Sequence, residues 1–288
     1  MIDVNNVLKE KLHLGVLSKA SNPKSVSIAF SSSGKHYISG KIESFSHLLN
    51  IGPENGALSL AVQNNDFGVN KIVTMTESLE HVDPLVLKII ADHSLKTGNN
   101  IEYEVVDING NNIFKTSNTL SEFSFYKPNI SKLQKTFNFT LDNNHVKLEN
   151  FNENDIPKIL KDFAIKGITK NFPNYDSASG YGAAILTKNN NLYFSGQYSS
   201  PDNRLGIHAE MSAVLAAIMS NDLDVLYVGI VSSKFKDSNC PVCGSCRQFL
   251  VEHSSRTKIP IKIFSFAKDT DNFKFYDIKD YLPDNFEL

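Results

Sequence analysis

Cysteine is scarce in this chain: its 288 residues hold three, all between Cys240 and Cys246. Residues 1–239 therefore offer no thiolate at all. An odd, tightly clustered set is also not the even framework that staples a secreted domain. An excess of charge is missing as well. A formal net charge of -2 provides no global basic field to draw the chain to nucleic acid or anionic membrane. No apolar run approaches the length of a bilayer span, and residues 213–219 are typical of the longest. The start, Met1-Ile2-Asp3-Val4, lacks the positive segment and apolar core of a signal peptide. Neither a phosphate-cradling glycine loop nor a serine-hydrolase elbow is found. These absences lead to the expectation of a globular, cytoplasmic protein whose clustered thiols ligate metal or carry redox chemistry.

What is present is an order of elements that occurs twice. Residues 182–186 read as a strand, 188–191 as a turn and 192–196 as the returning strand. Residues 26–30, 31–34 and 36–40 repeat that order, with Tyr37 opposite Tyr193. The apolar helical run 57–62 matches 212–217, 155 residues on. The strand at 71–74 matches 226–229, and 82–94 matches 242–254, ending Asp92-His93-Ser94 against Glu252-His253-Ser254. Such near-constant spacing predicts a duplication. The domains are expected at 1–126 and 151–288, with a linker at 127–150 that carries one short strand at 136–140. An amphipathic helix over 155–166, with Ile156, Ile159, Leu160 and Phe163 on one side, opens the second domain. Each domain is read as α/β, a mixed sheet of about five strands between helices. In this alignment Pro53, Glu54 and Asn55 stand at His208, Ala209 and Glu210, and Asp83 and Val86 replace Cys243 and Cys246.

The three cysteines lie in Cys240-Pro241-Val242-Cys243-Gly244-Ser245-Cys246-Arg247, just before a predicted helix. His208-Ala209-Glu210 opens another helix, and one strand at 225–231 separates the two. Helix N-termini carry partial positive charge and free N–H groups, which favour thiolates. Cys243 and Cys246, three residues apart, bring two sulfurs within reach of one ion, and His208 adds a third donor. Three protein ligands leave a fourth position open, the catalytic rather than the structural zinc arrangement. Glu210 is placed to move protons rather than to ligate. The spacing C-x-x-C-x-x-C also suits an iron–sulfur cluster, but that needs a fourth thiolate and the chain has none.

His208-Ala209-Glu210 followed by Cys243-Gly244-Ser245-Cys246-Arg247-Gln248 is similar to the cytidine deaminase family. Gly182-Ala183-Ala184 and the ending Asp280-Tyr281-Leu282-Pro283-Asp284-Asn285-Phe286 resemble it too. The motifs cover residues 155–288; residues 20–125 join only through the repeat. The resemblance implies two tandem three-layer α/β/α domains of deaminase type, the first inactive. It implies one zinc per chain on His208, Cys243 and Cys246, with Glu210 as proton shuttle and Arg247 hydrogen-bonding a ligating thiolate. It further implies substrate contacts at Ala183, Ala209 and Phe286, the last lining a neighbour's pocket in a homodimer. The implied reaction is hydrolytic deamination, with loss of ammonia, of cytidine, deoxycytidine or a related aminopyrimidine, as in pyrimidine salvage.

Three departures from the family pattern matter, the second at the base and the third at the sugar. Val242 rather than proline precedes the first ligating cysteine. Ser179 stands where the family has a phenylalanine that stacks on the base, leaving Phe172 or Tyr175 as stand-ins only if the loop runs differently. Gly196-Gln197-Tyr198-Ser199-Ser200 lacks the asparagine and glutamate with which the family grips ribose, which weakens nucleoside selectivity. The alternatives are a deaminase of a modified nucleoside or aminopyrimidine antibiotic, a nucleic-acid-editing deaminase, and a non-enzymatic zinc scaffold. Net charge counts against editing, and a scaffold has no use for Glu210. The aromatic runs 123–126 and 273–276 read as strand packing rather than base-stacking platforms.

Overall fold

The computed structural model describes residues 3–16, 23–78, 83–117, 143–172, 180–200, 202 and 205–282. They form two compact units, Met1–Leu141 with Ser200–Leu205, and Asp142–Ser199 with Gly206–Leu288. No helix among the described residues is long and apolar enough to cross a membrane.

The first unit contains α1 (Val4–Lys11), β1 (Ser25–Ser31), β2 (His36–Gly40), α2 (Pro53–Gln63), β3 (Val69–Thr76), α3 (Pro84–Thr97), β4 (Glu102–Asp107) and β5 (Asn112–Thr116). Its sheet runs β2-β1-β3-β4-β5. The β3–β4 pair is parallel and the others antiparallel, because α3 carries the chain back between β3 and β4. Alternate residues face opposite sides of a strand. Val26, Ile28, Val73, Met75 and Val106 share one face and pack with Leu8 of α1. The intervening Ser27 and Thr74 face α2: the Thr74 hydroxyl bonds Glu54 of that helix and pairs with the Ser27 hydroxyl beside it. Helix α2 is buried along its whole length, as a helix apolar on most sides must be. Helix and sheet thus form three layers.

The second unit contains β6 (His145–Lys147), α4 (Ile156–Ile168), β7 (Tyr181–Thr187), β8 (Asn191–Gly196), α5 (Ala209–Met219), β9 (Val225–Ser232), α6 (Gly244–Thr257), β10 (Lys262–Phe266), β11 (Phe273–Asp277) and α7 (Ile278–Tyr281). The sheet order is β11-β10-β9-β7-β8-β6, with β9–β10 parallel. Ile156, Leu160 and Ala164 of α4 pack on Ala184, Leu186, Phe194, Val231 and Phe264. The approach is close enough that a Cβ on Gly182 would lie 2.0 Å from the Ala164 carbonyl oxygen, so that position requires glycine. Helix α5 covers the opposite face.

The two sheets share one plan. The order β2-β1-β3-β4-β5 matches β8-β7-β9-β10-β11, and β6 is an added edge. Register recurs as well: Ile28 pairs with Val73 as Ala184 pairs with Gly229. The lone bridges Val16–Ile42 and Ile42–Ile51 recur as Phe172–Tyr198 and Tyr198–Ile207, each 156 residues on. Helices α2 and α5 begin and end 156 residues apart, and α3 and α6 160 apart. This corrects the sequence alignment by one residue at α2. Gly52, Pro53 and Glu54 stand where His208, Ala209 and Glu210 stand, whereas Asp83 and Val86 do replace Cys243 and Cys246. The matching elements also start earlier than residue 20, since α1 covers the face that α4 covers. Within the expected linker, His145–Lys147 pairs with β8 as a strand; residues 136–140 lie outside the described residues.

Candidate metal centre

His208 and Cys243 occupy equivalent places at the starts of α5 and α6. Each is the N-cap residue in extended conformation, at φ -68°, ψ 159° and φ -70°, ψ 160°. Neither side chain caps its own helix, so both are free to turn towards each other. Ser195 of β8 donates to the Ala209 carbonyl at 2.6 Å, which pins the first turn of α5 to the sheet. Cys246 lies one turn into α6 and is fully buried.

The donors converge. His208 Nδ1 lies 3.3 Å from Cys243 Sγ and 3.3 Å from Cys246 Sγ, and all three atoms lie within 4.8 Å of one another. Tetrahedral zinc with bonds of about 2.0 Å to nitrogen and 2.3 Å to sulfur needs its donors about 3.5–3.8 Å apart. One imidazole and two sulfurs at this spacing fit the ion in both geometry and softness. Among the described residues this is the group of histidine, cysteine and carboxylate donors that comes together in this way. Cys240 is not in it. Its thiol is buried and pushed up to about 12 by desolvation and by the neighbouring Glu210 and Cys243, and its carbonyl accepts from Ser265.

The electrostatics of the group suit a cation. The Cys246 thiol, donating to Cys243, is the main reason that the Cys243 pKa falls to about 4; burial opposes this, and His208 assists. Cys246 is pushed up by burial and by that same hydrogen bond. The Cys243 sulfur in turn raises His208, against the effect of burial. Two sulfurs thus share one proton beside an imidazole, and a metal ion would displace that proton. Glu210, in the first turn of α5, is 3% exposed. Desolvation raises its carboxyl above the usual range, and Cys246 is a hydrogen-bond partner.

Other predicted residues are placed as follows. Ala183 is buried on β7 and Ala209 at the head of α5. Arg247 donates Nε to the Val242 carbonyl at 2.8 Å and Nη1 to the Tyr281 carbonyl at 3.5 Å, and its guanidinium lies 3.9 Å from the Tyr281 ring centroid. It braces the backbone before Cys243 rather than a thiolate. Phe172 is fully buried and stacked on Tyr198, with centroids 5.2 Å apart, so it belongs to the core and not to a base-stacking loop. Tyr175, Ser179 and Phe286 lie outside the described residues. Tyr181 is a neighbour that the sequence reading missed: burial, then the charges of Cys240, Glu210 and Cys243, raise its phenol. It opens a strand with no motif of its own, and only the sheet carries it to the centre.

Residues 164–261 match the family described as the cytidine and deoxycytidylate deaminase zinc-binding region. Among solved structures, cytidine deaminase from Burkholderia pseudomallei is 20% identical, over 45% of this chain and 98% of its own, with a TM-score of 0.40. Cytidine deaminase from Mycobacterium tuberculosis is 23% identical, over 46% and 97%, at 0.37. The enzyme from Mycobacterium leprae is 21% identical, over 44% and 96%, at 0.35. Comparison with curated protein sequences finds no match. The matched segment contains His208, Glu210, Cys243 and Cys246, so the residues that converge at the centre all lie within the part of the chain that resembles this zinc-binding region.

Proposed function

We propose that the second unit is a zinc-dependent hydrolase that removes the exocyclic amino group of an aminopyrimidine, with cytidine or deoxycytidine as the reference substrates. The observation that carries this reading is the buried Glu210 carboxyl beside a convergent imidazole and two sulfurs. His208, Cys243 and Cys246 would hold one zinc per chain. When bound, that ion supplies the positive charge that makes water acidic near neutral pH.

Glu210 does the proton work. Burial raises its pKa above the usual carboxylate range, the direction that suits a group which both takes and gives protons. It removes one proton from the water whose oxygen adds to the amine-bearing ring carbon and passes it to the ring nitrogen, then carries the proton remaining on that oxygen to the departing nitrogen. The C–N bond breaks, a carbonyl forms, and ammonia leaves. Ala183 and Ala209 line the approach, Arg247 holds Cys243 in place through the Val242 carbonyl, and Phe286 closes the pocket of a neighbouring chain in a homodimer. The first unit contributes no second metal.

A second reading, a deaminase of a modified nucleoside or another aminopyrimidine, is favoured by one observation. Tyr198, at the place of the family's ribose-binding asparagine, is 1% exposed and stacked on Phe172, so it cannot reach a sugar. Ammonia release across cytidine, deoxycytidine, cytosine and substituted analogues tests both readings. The first expects cytidine turnover with only a small penalty for removing the sugar. No turnover of any aminopyrimidine by the zinc-loaded protein would overturn both. Light scattering tests the dimer, and a monomer mass would refute it.

A further inference from the structure

The first unit has an open-sided cavity of about 580 Å³ whose wall includes Gly52, Glu54, Asn55, Thr74 and Tyr103. Sites for small organic ligands commonly occupy about 300–1,000 Å³. The cavity lies at the start of α2, where the second unit has its metal donors at the start of α5. No motif announces it, and the chemistry proposed above makes no use of it.

Its floor is a built polar site. Glu54 is 4% exposed. Its Oε1 accepts from Thr74 at 2.7 Å and from Tyr103 at 2.8 Å, and the Thr74 hydroxyl pairs with Ser27 at 2.6 Å. This ladder fixes the carboxyl and leaves its other oxygen towards Gly52. A Cβ on Gly52 would lie 3.6 Å from Glu54 Oε2, with no other non-adjacent atom within 4 Å. The imidazole that fills the matching place in the second unit is replaced here by space. Beside Glu54, Asn55 is also 4% exposed. Its amide nitrogen donates to the Leu205 carbonyl at 2.8 Å, but its Oδ1 is buried with no hydrogen-bond partner. A buried acceptor left unpaired costs about 1–3 kcal/mol, so a ligand N–H there would be favourable. Val86, Ile89 and Val105 add an apolar part to the lining.

We propose that the first unit binds a small planar heterocycle bearing an amidine or amino group, and holds it without reaction. Glu54 and Asn55 accept its N–H groups, while Val86, Ile89 and Val105 pack against the ring. An amidine suits this carboxyl in either charge state. Burial raises the Glu54 pKa; its one open oxygen, Oε2, accepts a ligand N–H when ionised and donates to a ring nitrogen when protonated. Turnover is absent because Gly52, Asp83 and Val86 supply no metal-binding set, and Asp83 is engaged in capping α3 through the Leu85 N–H at 2.8 Å.

The test uses the full chain carrying Glu210→Gln and Cys246→Ser, so that the second unit neither turns over nor holds metal. Hydrogen exchange by mass spectrometry is read with millimolar cytosine, and with uracil as the ring lacking the amidine edge. Cytosine should slow exchange in peptides covering Pro53–Gln63 and Val69–Thr76, and uracil should not. Val86→Trp, which crowds the ring's place, and Glu54→Leu should each weaken the cytosine affinity read from that protection about tenfold or more, the loss expected when the ring's space or a hydrogen-bond partner is removed. Circular dichroism checks that each variant folds, and Val86→Trp keeps the test valid if Glu54→Leu does not. No cytosine protection in these peptides, equal protection by uracil, or protection that survives Val86→Trp would each overturn the proposal.

Discussion

Glu54 and Glu210 occupy the same turn of matching helices in two units with the same strand order, yet their surroundings are opposite. Under Glu54 the sheet presents Ser27, Thr74 and Tyr103. The matching positions under Glu210 are Ala183, Ile230 and Ile263, all buried and apolar. One carboxyl is fastened by hydroxyl donors and faces the space at Gly52. The other has no hydroxyl at those positions and sits against a thiol beside an imidazole. A carboxyl fixed by neutral donors anchors or recognises, whereas one in apolar surroundings next to a cation site can exchange protons. One scaffold therefore supports two kinds of site, and the difference lies in three residues of the sheet, two helix caps and the residue in the first turn of α3 and α6, Val86 against Cys246.

The largest effect that would break or sharpen this contrast concerns the metal. Cys243→Ser or Cys246→Ser should lose the zinc and essentially all deamination, whereas Cys240→Ser should keep the metal. Elemental analysis of the parent should give one zinc per chain; two would erase the distinction between the units. Next in size, Glu210→Gln should retain zinc and fold but lose at least about a hundredfold in turnover, the usual contribution of a positioned proton-transfer group. Activity within a few-fold of the parent would show that Glu210 moves no proton.

Exchanging the residues beneath the two carboxyls probes stability. Ile230→Thr puts a hydroxyl into an apolar layer and removes packing, and should cost about 1–3 kcal/mol in chemical denaturation. Thr74→Val strips one donor from Glu54 and should cost a similar amount. A neutral result for both would mean that the layers are interchangeable.

A smaller effect depends on pH. Asp66 feels burial, which alone would raise its carboxyl, but hydrogen bonds from Ser31, Ser33, Tyr37 and the Gly68 N–H outweigh it, and its pKa is lowered. A carboxyl lowered by folding stabilises the native state above its unfolded pKa and loses that contribution as pH falls through the folded value. Asp66→Asn should therefore be less stable than the parent near neutrality, with the gap closing below about pH 4. Thermal midpoints across that range read the difference; a constant gap would exclude the linkage.

The smallest effect is at the helix ends. Gly98 closes α3 at φ 76°, and Lys258 closes α6 at φ 59°. A left-handed cap suits glycine, and a side chain there costs up to about 1 kcal/mol. Lys258→Gly should stabilise the second unit by that order, and no gain would mean that the lysine side chain offsets the strain.

Much of this was legible in the chain. Strands 182–186, 192–196, 26–30 and 36–40 and the helix near 155–166 follow from apolar alternation and helical spacing, and the structure forms them. The N-terminal helix Val4–Lys11 went unread because its eight residues bury only Leu8, too little for a periodic signal. The one-residue error at α2 arose because Gly52-Pro53-Glu54 shares so little with His208-Ala209-Glu210. Apolar residues such as Ala57 and Leu58 match their counterparts almost equally well in neighbouring registers, and a slip of one residue turns a helix by about 100°. Pairing register, not similarity, aligned Glu54 with Glu210.

The sequence by itself determined the donor set. Three cysteines within seven positions and a His-x-Glu at a helix start leave few other ways to assemble a metal site, because thiolate chemistry is confined to those residues. Only the tertiary structure decided where the donors meet, since His208 and Cys243 lie 35 residues apart and converge because β9 carries the chain across between two helix starts. It also decided that Tyr198 packs into the core and that Glu54 rests on a ladder of hydroxyls beside an empty Gly52. Those outcomes depend on which side of a strand a residue faces and which strand lies beside it, and hydrogen-bond register fixes both.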